Sequence, residues 1–406
     1  MTPEQSLDYI EKLKKRGIVP GLGQMQKLMS RLGDPQNSLK NVIHIAGTNG
    51  KGSVGAFIEA ALLNTGASVG RYSSPAVFSY FEIIRKNGKD IAPQTFAELI
   101  SKIKDAAEAE DISPSAFEAE TAAAFLYFSG CEYCIIEAGL GGRGDSTNVI
   151  DTAKTAVITS VSLDHMNILG STIEEIAAEK CGIFNDKTTV VVSTQTSEAE
   201  RVIREKAEGL PVIFAQTPEN ISFSGFKTSF DLGQMKSLEI SLLGTFQPFN
   251  AAAAVSVLQS LGIAEESIRN GLKNAVWHGR FDMVSREPLI IADGAHNRQA
   301  FYELRKSLEA YFPGKKFIFV AGVLADKDYR AAAKILSPLA EKVYTVTPDN
   351  PRALSAQKLA EEFTKCGADA DPIDISRIGS IIQNDKITAA FGSLSFLNKF
   401  YEAVKE

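Results

Sequence analysis

Short apolar runs punctuate the chain. In its first half these are NVIHIAG (residues 41–47), YCIIEAG (133–139), TAVITSV (155–161) and TVVVST (189–194). Later come PLIIADG (288–294), KFIFVAGV (316–323) and KVYTVT (342–347). The runs are continuous rather than alternating, and stretches of helix length separate them. That reads as parallel strands buried on both faces, so the fold class is α/β. Ligands are then expected at the loops that leave the C-terminal ends of the strands. Between residues 222 and 241 the pattern shortens and alternates, which predicts a small hairpin region. A helix follows from near Asn250 through AAAAVSVLQSLGI. After WHGRFDMVSREP (277–288) a fresh strand–loop–helix series opens with LIIADGAHN. This places a domain boundary within residues 279–288 and divides the chain into domains 1–283 and 284–406. The opening MTPEQSLDYIEKLKKRG predicts an amphipathic charged helix, and no internal repeat stands out.

Composition narrows the function classes. At 406 residues, the chain is comfortable for two domains, and its 44% hydrophobic and 23% charged content is that of a globular protein. A formal net charge of −6 without basic blocks argues against general nucleic-acid binding. The first helix lacks the apolar core of a signal peptide, and nowhere do 18 apolar residues run together. A cytoplasmic protein with no membrane partner is the expectation. Cys131 and Cys134 form a single C-x-x-C with no second pair to complete a zinc site, which reads as two reduced thiols leading into a buried strand.

The candidate chemistry begins between VIHIAG and the helical VGAFIEAALLNTG, where the chain reads GTNGKGS (47–53). A phosphate-binding loop wants that strand–loop–helix context, but its usual spelling is G-x-x-x-x-G-K-[ST]. Here Gly47 and Gly50 are three apart, and Gly52 stands where the hydroxyl belongs. The alternatives are a tight glycine-rich turn and a variant phosphate loop. In the second, backbone N–H groups and the helix dipole face an oxyanion, Lys51 supplies a cation and Ser53 a hydroxyl for magnesium. Further on, IIEAGLGGRGDSTNV puts Glu137 at a strand end before a glycine-rich turn, where a carboxylate can bind that magnesium. TSVSLDHMNILG places His165 just after another strand. Lys180, in IAAEKCGIF, is by itself an ordinary helix lysine.

Together, AGTNGKGS, YSSP, FEAET, EAGLGGRGDSTN, LDHMNILGSTIEEIAAEKCGIF, DGAHN and VLADKD resemble the folylpolyglutamate synthase/dihydrofolate synthase family, within the Mur ligase group of ATP-dependent amide-forming enzymes. The resemblance runs in order along nearly the whole chain. It implies an N-terminal P-loop-type ATPase domain with a mainly parallel sheet, and a smaller C-terminal Rossmann-like α/β domain. The implied activity is addition of L-glutamate to reduced folates, with acceptance of dihydropteroate left open, through an acyl phosphate with release of ADP and phosphate.

Site residues follow from the same resemblance. Gly47, Thr48, Asn49, Gly50, Lys51, Gly52 and Ser53 would hold the ATP phosphates. Asn250 would contact adenine, Arg280 would face the phosphates and Asp293 the nucleotide sugar. Two magnesium ions would be held by Ser53, Ser73, Glu137, His165 and Lys180, with Lys180 carried as a carbamate made from carbon dioxide. An ammonium beside magnesium is repulsive, whereas a carbamate offers an anionic oxygen. His296 would sit beside the incoming amino acid or the acyl phosphate, and Lys51, Lys180 and His296 form the catalytic set. Gly21, Leu22, Phe117, Glu118, Thr121, Thr147 and Asn148 match the family's folate-contacting regions, with helix packing and capping as their alternative roles. The implied partners are ATP, L-glutamate and a reduced folate or dihydropteroate, acted on by a monomer.

Several positions depart from the family's common spelling: Ala76, Ile83, Gly144, Ser146, Cys181, Phe246 and His278. None removes an implied ATP or metal ligand, and Ala76 and Ile83 lie on the loop after Ser73, where folate or glutamate handling could change. Two other readings compete. One is a different Mur-type amino-acid ligase, but the 46 residues before Gly47 are few for a separate UDP-sugar domain. The other is a non-catalytic ATP-binding relative, against which stands the joint presence of Lys51, Ser53, Glu137, His165 and Lys180.

Overall fold

The structure, a computed structural model, describes residues 1–15, 17 and 21–404. Packing separates two compact units. The first comprises Met1–Pro218, Leu232–Lys236 and Phe249–Ala275; the second comprises Glu219–Asp231, Ser237–Pro248 and the chain from Val276 onward.

The first unit is built on an eight-stranded sheet. Its strands are β1 (Val42–Ala46), β2 (Val69–Tyr72), β3 (Ile84–Lys86), β4 (Lys89–Asp90), β5 (Tyr133–Glu137), β6 (Ala153–Ile158), β7 (Thr189–Val192) and β8 (Val212–Phe214). They lie in the order β4-β3-β2-β5-β1-β6-β7-β8. Only the β2/β3 and β3/β4 edge hairpin is antiparallel. Every residue of β1 is buried, as its unbroken apolar run requires between two neighbours. Ile45 pairs with Glu137 on one side and Val157 on the other, and Tyr72 pairs with Ile136. The chain segments leaving β1, β2, β5 and β6 therefore emerge side by side, which gathers Gly47, Ser73, Glu137 and Thr159 at one edge.

Helix Lys51–Asn64 covers this sheet and is buried on most sides. Its Glu59 forms a buried ion pair with Arg71 of β2 at 2.8 Å. The Arg71 guanidinium also donates to the Gly52 carbonyl at 3.3 Å, so strand and helix start are cross-tied. The opening amphipathic segment forms helix Pro3–Lys14, with a Thr2/Gln5 capping box and Ser6, Ile10 and Leu13 buried.

The second unit contains a six-stranded sheet. Its strands are β12 (Asp282–Arg286), β13 (Leu289–Asp293), β14 (Phe317–Gly322), β15 (Ala340–Thr345), β16 (Ala370–Pro372) and β17 (Ile387–Gly392), in the order β12-β13-β17-β14-β15-β16. Only β12 runs antiparallel. Strand β17 (ITAAFG) sits centrally but has no long branched apolar run to announce it. The predicted hairpin region is a three-stranded sheet of β9 (Glu219–Ser224), β10 (Lys227–Leu232) and β11 (Met235–Ile240), the first two antiparallel. The following helix spans Gln247–Ser260, starting three residues before Asn250. Among the described residues no helix is long and apolar enough to cross a membrane.

Candidate active site

Two glycines shape the loop after β1. Gly47 has φ +155°, and a Cβ there would lie 1.8 Å from Thr159 Oγ1. Gly50 has φ +93°, and a Cβ there would lie 2.4 Å from Asn250 Oδ1. Both therefore need glycine, one to pass β6 and the other to let the loop approach a buried asparagine. Outside the loop, the Thr48 N–H donates to Ser160 O at 2.8 Å and its hydroxyl to Ser162 O at 3.1 Å. The first turn of helix Lys51–Asn64 is thereby fixed with its N–H groups at the loop, an arrangement that attracts anions.

Two ammonium groups converge on this loop. Lys51 Nζ donates to Gly47 O at 3.1 Å and lies 3.9 Å from Glu137 Oε1. Lys180 Nζ, at the end of helix Ile173–Lys180, donates to the same Gly47 carbonyl at 2.9 Å. Lys180 is 3% exposed, and burial, followed by the charge of Lys51, brings its pKa down to about 7. Ser53, Ser73 and Glu137 are also buried. The Ser73 hydroxyl has no hydrogen-bond partner among the described residues. His165 stands apart in character: it is a left-handed residue (φ +50°) at the start of the short helix Met166–Leu169, with a half-exposed side chain beside Asp164. Among the described residues, no three His, Cys, Asp or Glu side chains gather in a metal-holding group. The collected donors are hydroxyls and a carboxylate, a set that suits magnesium taking further oxygens from phosphate and water.

In the second unit, Asp293 ends β13 and is buried. Its two carboxylate oxygens accept the N–H groups of Phe281 and Ala295, each at 2.7 Å. Burial raises its pKa to about 6 in spite of nearby Arg280. Arg280 Nη1 donates to Gly279 O at 2.9 Å, and His296 Nδ1 lies 2.8 Å from Gly294 O.

Comparison with known proteins gives this geometry a family. Residues 45–258 match the Mur ligase middle domain, and residues 279–391 match the Mur ligase glutamate ligase domain. A Bacillus subtilis dihydrofolate synthase/folylpolyglutamate synthase is 37% identical, covering 99% of both chains. The chain belongs to the dihydrofolate synthase/folylpolyglutamate synthase family of Mur ligases. The Escherichia coli protein of the same name is 33% identical over 88% of this chain and 84% of its own. Among solved structures, Escherichia coli FolC in complex with DHPP and ADP superposes with a TM-score of 0.89 at 29% identity, covering 100% of this chain and 98% of that one. Mycobacterium tuberculosis folylpolyglutamate synthase complexed with ADP and AMPPCP gives 0.86 at 27% identity, covering 99% and 98%.

In this Mur ligase the residues matched to folate contacts divide by their surroundings. Gly21 is exposed and Leu22 half-buried at the start of helix Gly23–Arg31, and the Phe117 ring lies 5.7 Å from that of Tyr72. The others are committed within the fold. Glu118 forms a capping box with Ser115, accepting its N–H at 2.7 Å. Thr121 donates to Phe117 O at 2.7 Å. The Thr147 hydroxyl donates to Asp145 at 2.5 Å and faces His44 Nε2 at 2.8 Å. Asn148 donates to Arg143 O at 3.1 Å and Gly182 O at 2.9 Å, tying the glycine-rich turn to the segment after Lys180.

The structure also adds residues that motif reading missed. Asp164 bears electrostatically on Lys180 and precedes His165. Glu120 is buried and accepts the Tyr80 hydroxyl. In the second unit Tyr401 and Asp282 brace the turn that carries Arg280. FEAET contains both Glu118 and Glu120, and both are buried; its pattern could not say that Glu120 is the one that receives the Tyr80 hydroxyl.

Proposed function

We propose that this chain is an ATP-dependent carboxylate–amine ligase that adds L-glutamate to reduced folates, and to dihydropteroate as a second substrate class, releasing ADP and phosphate. One observation carries the reading: two lysines, Lys51 and Lys180, meet at one carbonyl of a glycine loop that also opens a helix. The helix N-terminus and the Lys51 ammonium suit a polyphosphate, while Lys180, its basicity lowered beside Lys51, suits conversion to an anionic metal ligand. Family membership supplies the acceptor and the amino acid.

The chemistry needs activation because an amine does not displace oxygen from a carboxylate at neutral pH. Transfer of the γ-phosphoryl group to the folate carboxylate makes an acyl phosphate; the α-amino group of glutamate attacks its carbonyl, and the tetrahedral adduct expels phosphate. The loop N–H groups from Gly47 to Ser53 would cradle the phosphates, with Lys51 on the transferred group. Asn250, Arg280 and Asp293 would contact adenine, phosphates and sugar. Of these, Asp293 is held by one backbone N–H at each carboxylate oxygen, which leaves further lone pairs for a sugar hydroxyl. His296 would serve beside the incoming amino acid or the acyl phosphate.

The donor set fits magnesium. Ser73 presents a buried hydroxyl with no protein partner among the described residues, on the strand end next to that of Glu137. Ser53, Ser73 and Glu137, with His165 and a carbamate on Lys180, would hold two ions. When bound, these supply charge neutralisation at the phosphate oxygens. Two adjacent ammonium groups repel, and Lys180 has the lowered basicity that lets an amine add carbon dioxide, releasing a proton and leaving an N-carboxylate. On the folate side, Gly21, Leu22 and the Phe117 ring would touch the ligand, while Glu118, Thr121, Thr147 and Asn148 would hold the walls.

The two-domain division 1–283 and 284–406, action as a monomer on small molecules, and a cytoplasmic setting belong to the same proposal. The test is ADP release that depends on both a folate and L-glutamate. ADP formation without either, or nucleotide binding with no such turnover, would sink it.

A further inference from the structure

Arg280 lies between two residues of left-handed backbone, Gly279 (φ +70°) and Phe281 (φ +48°). For phenylalanine that state is strained, and it persists only where the surroundings over-determine it. Here several groups do so. The Phe281 ring is fully buried, 5.3 Å from the Tyr311 ring, and its N–H is held by Asp293. The Gly279 carbonyl accepts the Gly294 N–H at 2.8 Å. The Gly279 N–H donates to the Tyr401 hydroxyl at 3.2 Å, and that hydroxyl donates to Asp282 Oδ2 at 2.6 Å. His278 Nδ1 stands 2.8 Å from the same Asp282 oxygen. Burial and the Asp282 charge hold Tyr401 well above the ordinary tyrosine range, so its proton stays in place for this relay.

The strained turn presents a cation with spare donors. Arg280 gives one hydrogen bond to Gly279 O and has no ion-pair partner among the described residues. A guanidinium carries five N–H donors in a fork that matches phosphate oxygens. Room for it is built in: a Cβ on Gly294 would lie 2.3 Å from Arg280 Nη1. Tyr401 comes from the last helix, Leu394–Ala403, more than a hundred residues further along the chain. Its hydroxyl holds Gly279, the residue next to the arginine.

We infer that Tyr401, acting with Asp282, is a positioning residue for Arg280: its hydroxyl locks the Gly279 peptide and so fixes how the guanidinium is presented to nucleotide phosphates. The inference rests on the proposed reading of Arg280 as a phosphate-facing cation. A double-mutant cycle tests the two separately. ADP release is measured with ATP, tetrahydrofolate and L-glutamate for Tyr401→Phe, Arg280→Ala and the double variant, with folding checked by circular dichroism.

Tyr401→Phe leaves the Gly279 N–H without its partner, and KM for ATP should rise about tenfold while KM for folate and glutamate holds. In the Arg280→Ala background the same change should move KM for ATP less than about twofold, because the group it positions is gone. Equal effects in both backgrounds, or a rise in all three KM values, would overturn the inference and leave Tyr401 a purely structural residue. If Arg280→Ala alone changes neither KM for ATP nor kcat, the reading of Arg280 fails and the inference with it. Should Tyr401→Phe not fold, Asp282→Ala removes the acceptor that orients the hydroxyl and faces the same criteria.

Discussion

Replacing Glu120 with glutamine should stabilise the protein at alkaline pH and not at acid pH. Glu120 is 7% exposed on helix Ala116–Tyr127, where it accepts the Tyr80 hydroxyl; Lys14 lies over the Tyr80 ring at 4.7 Å. Burial raises its pKa from 4.5 to about 7, partly opposed by the Tyr80 hydrogen bond and the charge of Lys14. The folded state thus binds the proton more tightly than the unfolded state. This contribution to stability is present below pH 4.5 and is lost as pH rises through about 7. The full span of 2.5 pH units corresponds to roughly 3 kcal/mol at about 1.4 kcal/mol per unit. Between pH 5.5 and 8 about 1.5 units of it remain, or about 2 kcal/mol. Glutamine keeps an oxygen for the Tyr80 hydroxyl but cannot ionise. Urea unfolding of both proteins, followed by circular dichroism at the two pH values, should show the variant gaining about 2 kcal/mol relative to the parent at pH 8. An equal difference at both pH values would refute the reasoning, since Glu120 would then not titrate in that window.

Other outcomes follow from the loop and its lysines. With ¹³C-labelled bicarbonate, the protein should show a carbamate carbonyl signal by NMR that Lys180→Ala abolishes. Near pH 8 a lysine with a pKa of about 7 is about nine-tenths unprotonated, against under about 1% for an ordinary lysine. Turnover of Lys180→Ala should fall about a hundredfold or more; an unlabelled, fully active protein would contradict the carbamate. Gly50→Ala should weaken ADP binding by calorimetry at least about tenfold, because its Cβ would meet Asn250 Oδ1 at 2.4 Å. Gly66→Ala, with φ +84° and nothing within 4 Å, should lower stability by about 1 kcal/mol and leave ADP binding unchanged.

Legibility from sequence followed burial and locality. The strands around NVIHIAG, YCIIEAG and KFIFVAGV are buried on both faces, so their uninterrupted apolar runs announce them. By contrast, β17 contains two alanines and a glycine in six residues, and β2 carries Arg71, whose charge is hidden by Glu59 of the preceding helix. That pairing is visible only after folding. The phosphate loop was legible because its glycines, lysine and flanking elements are contiguous. The Lys51–Lys180 convergence was not, because it joins residues 129 positions apart through one carbonyl. The same limit hid Tyr401, and it hid the fate of Thr147 and Asn148, whose polar groups the fold itself consumes.

The central claim is that ATP activates a folate carboxylate for amide formation with glutamate. Its most direct test supplies tetrahydrofolate, and separately dihydropteroate, each ¹⁸O-labelled in the reacting carboxylate, with ATP and L-glutamate. Mass spectrometry of the released phosphate then reports the fate of the oxygen. Acyl phosphate formation predicts one labelled oxygen in phosphate for every amide formed, with ADP in equal amount. Label recovered in AMP, or phosphate carrying none of it, would contradict the account.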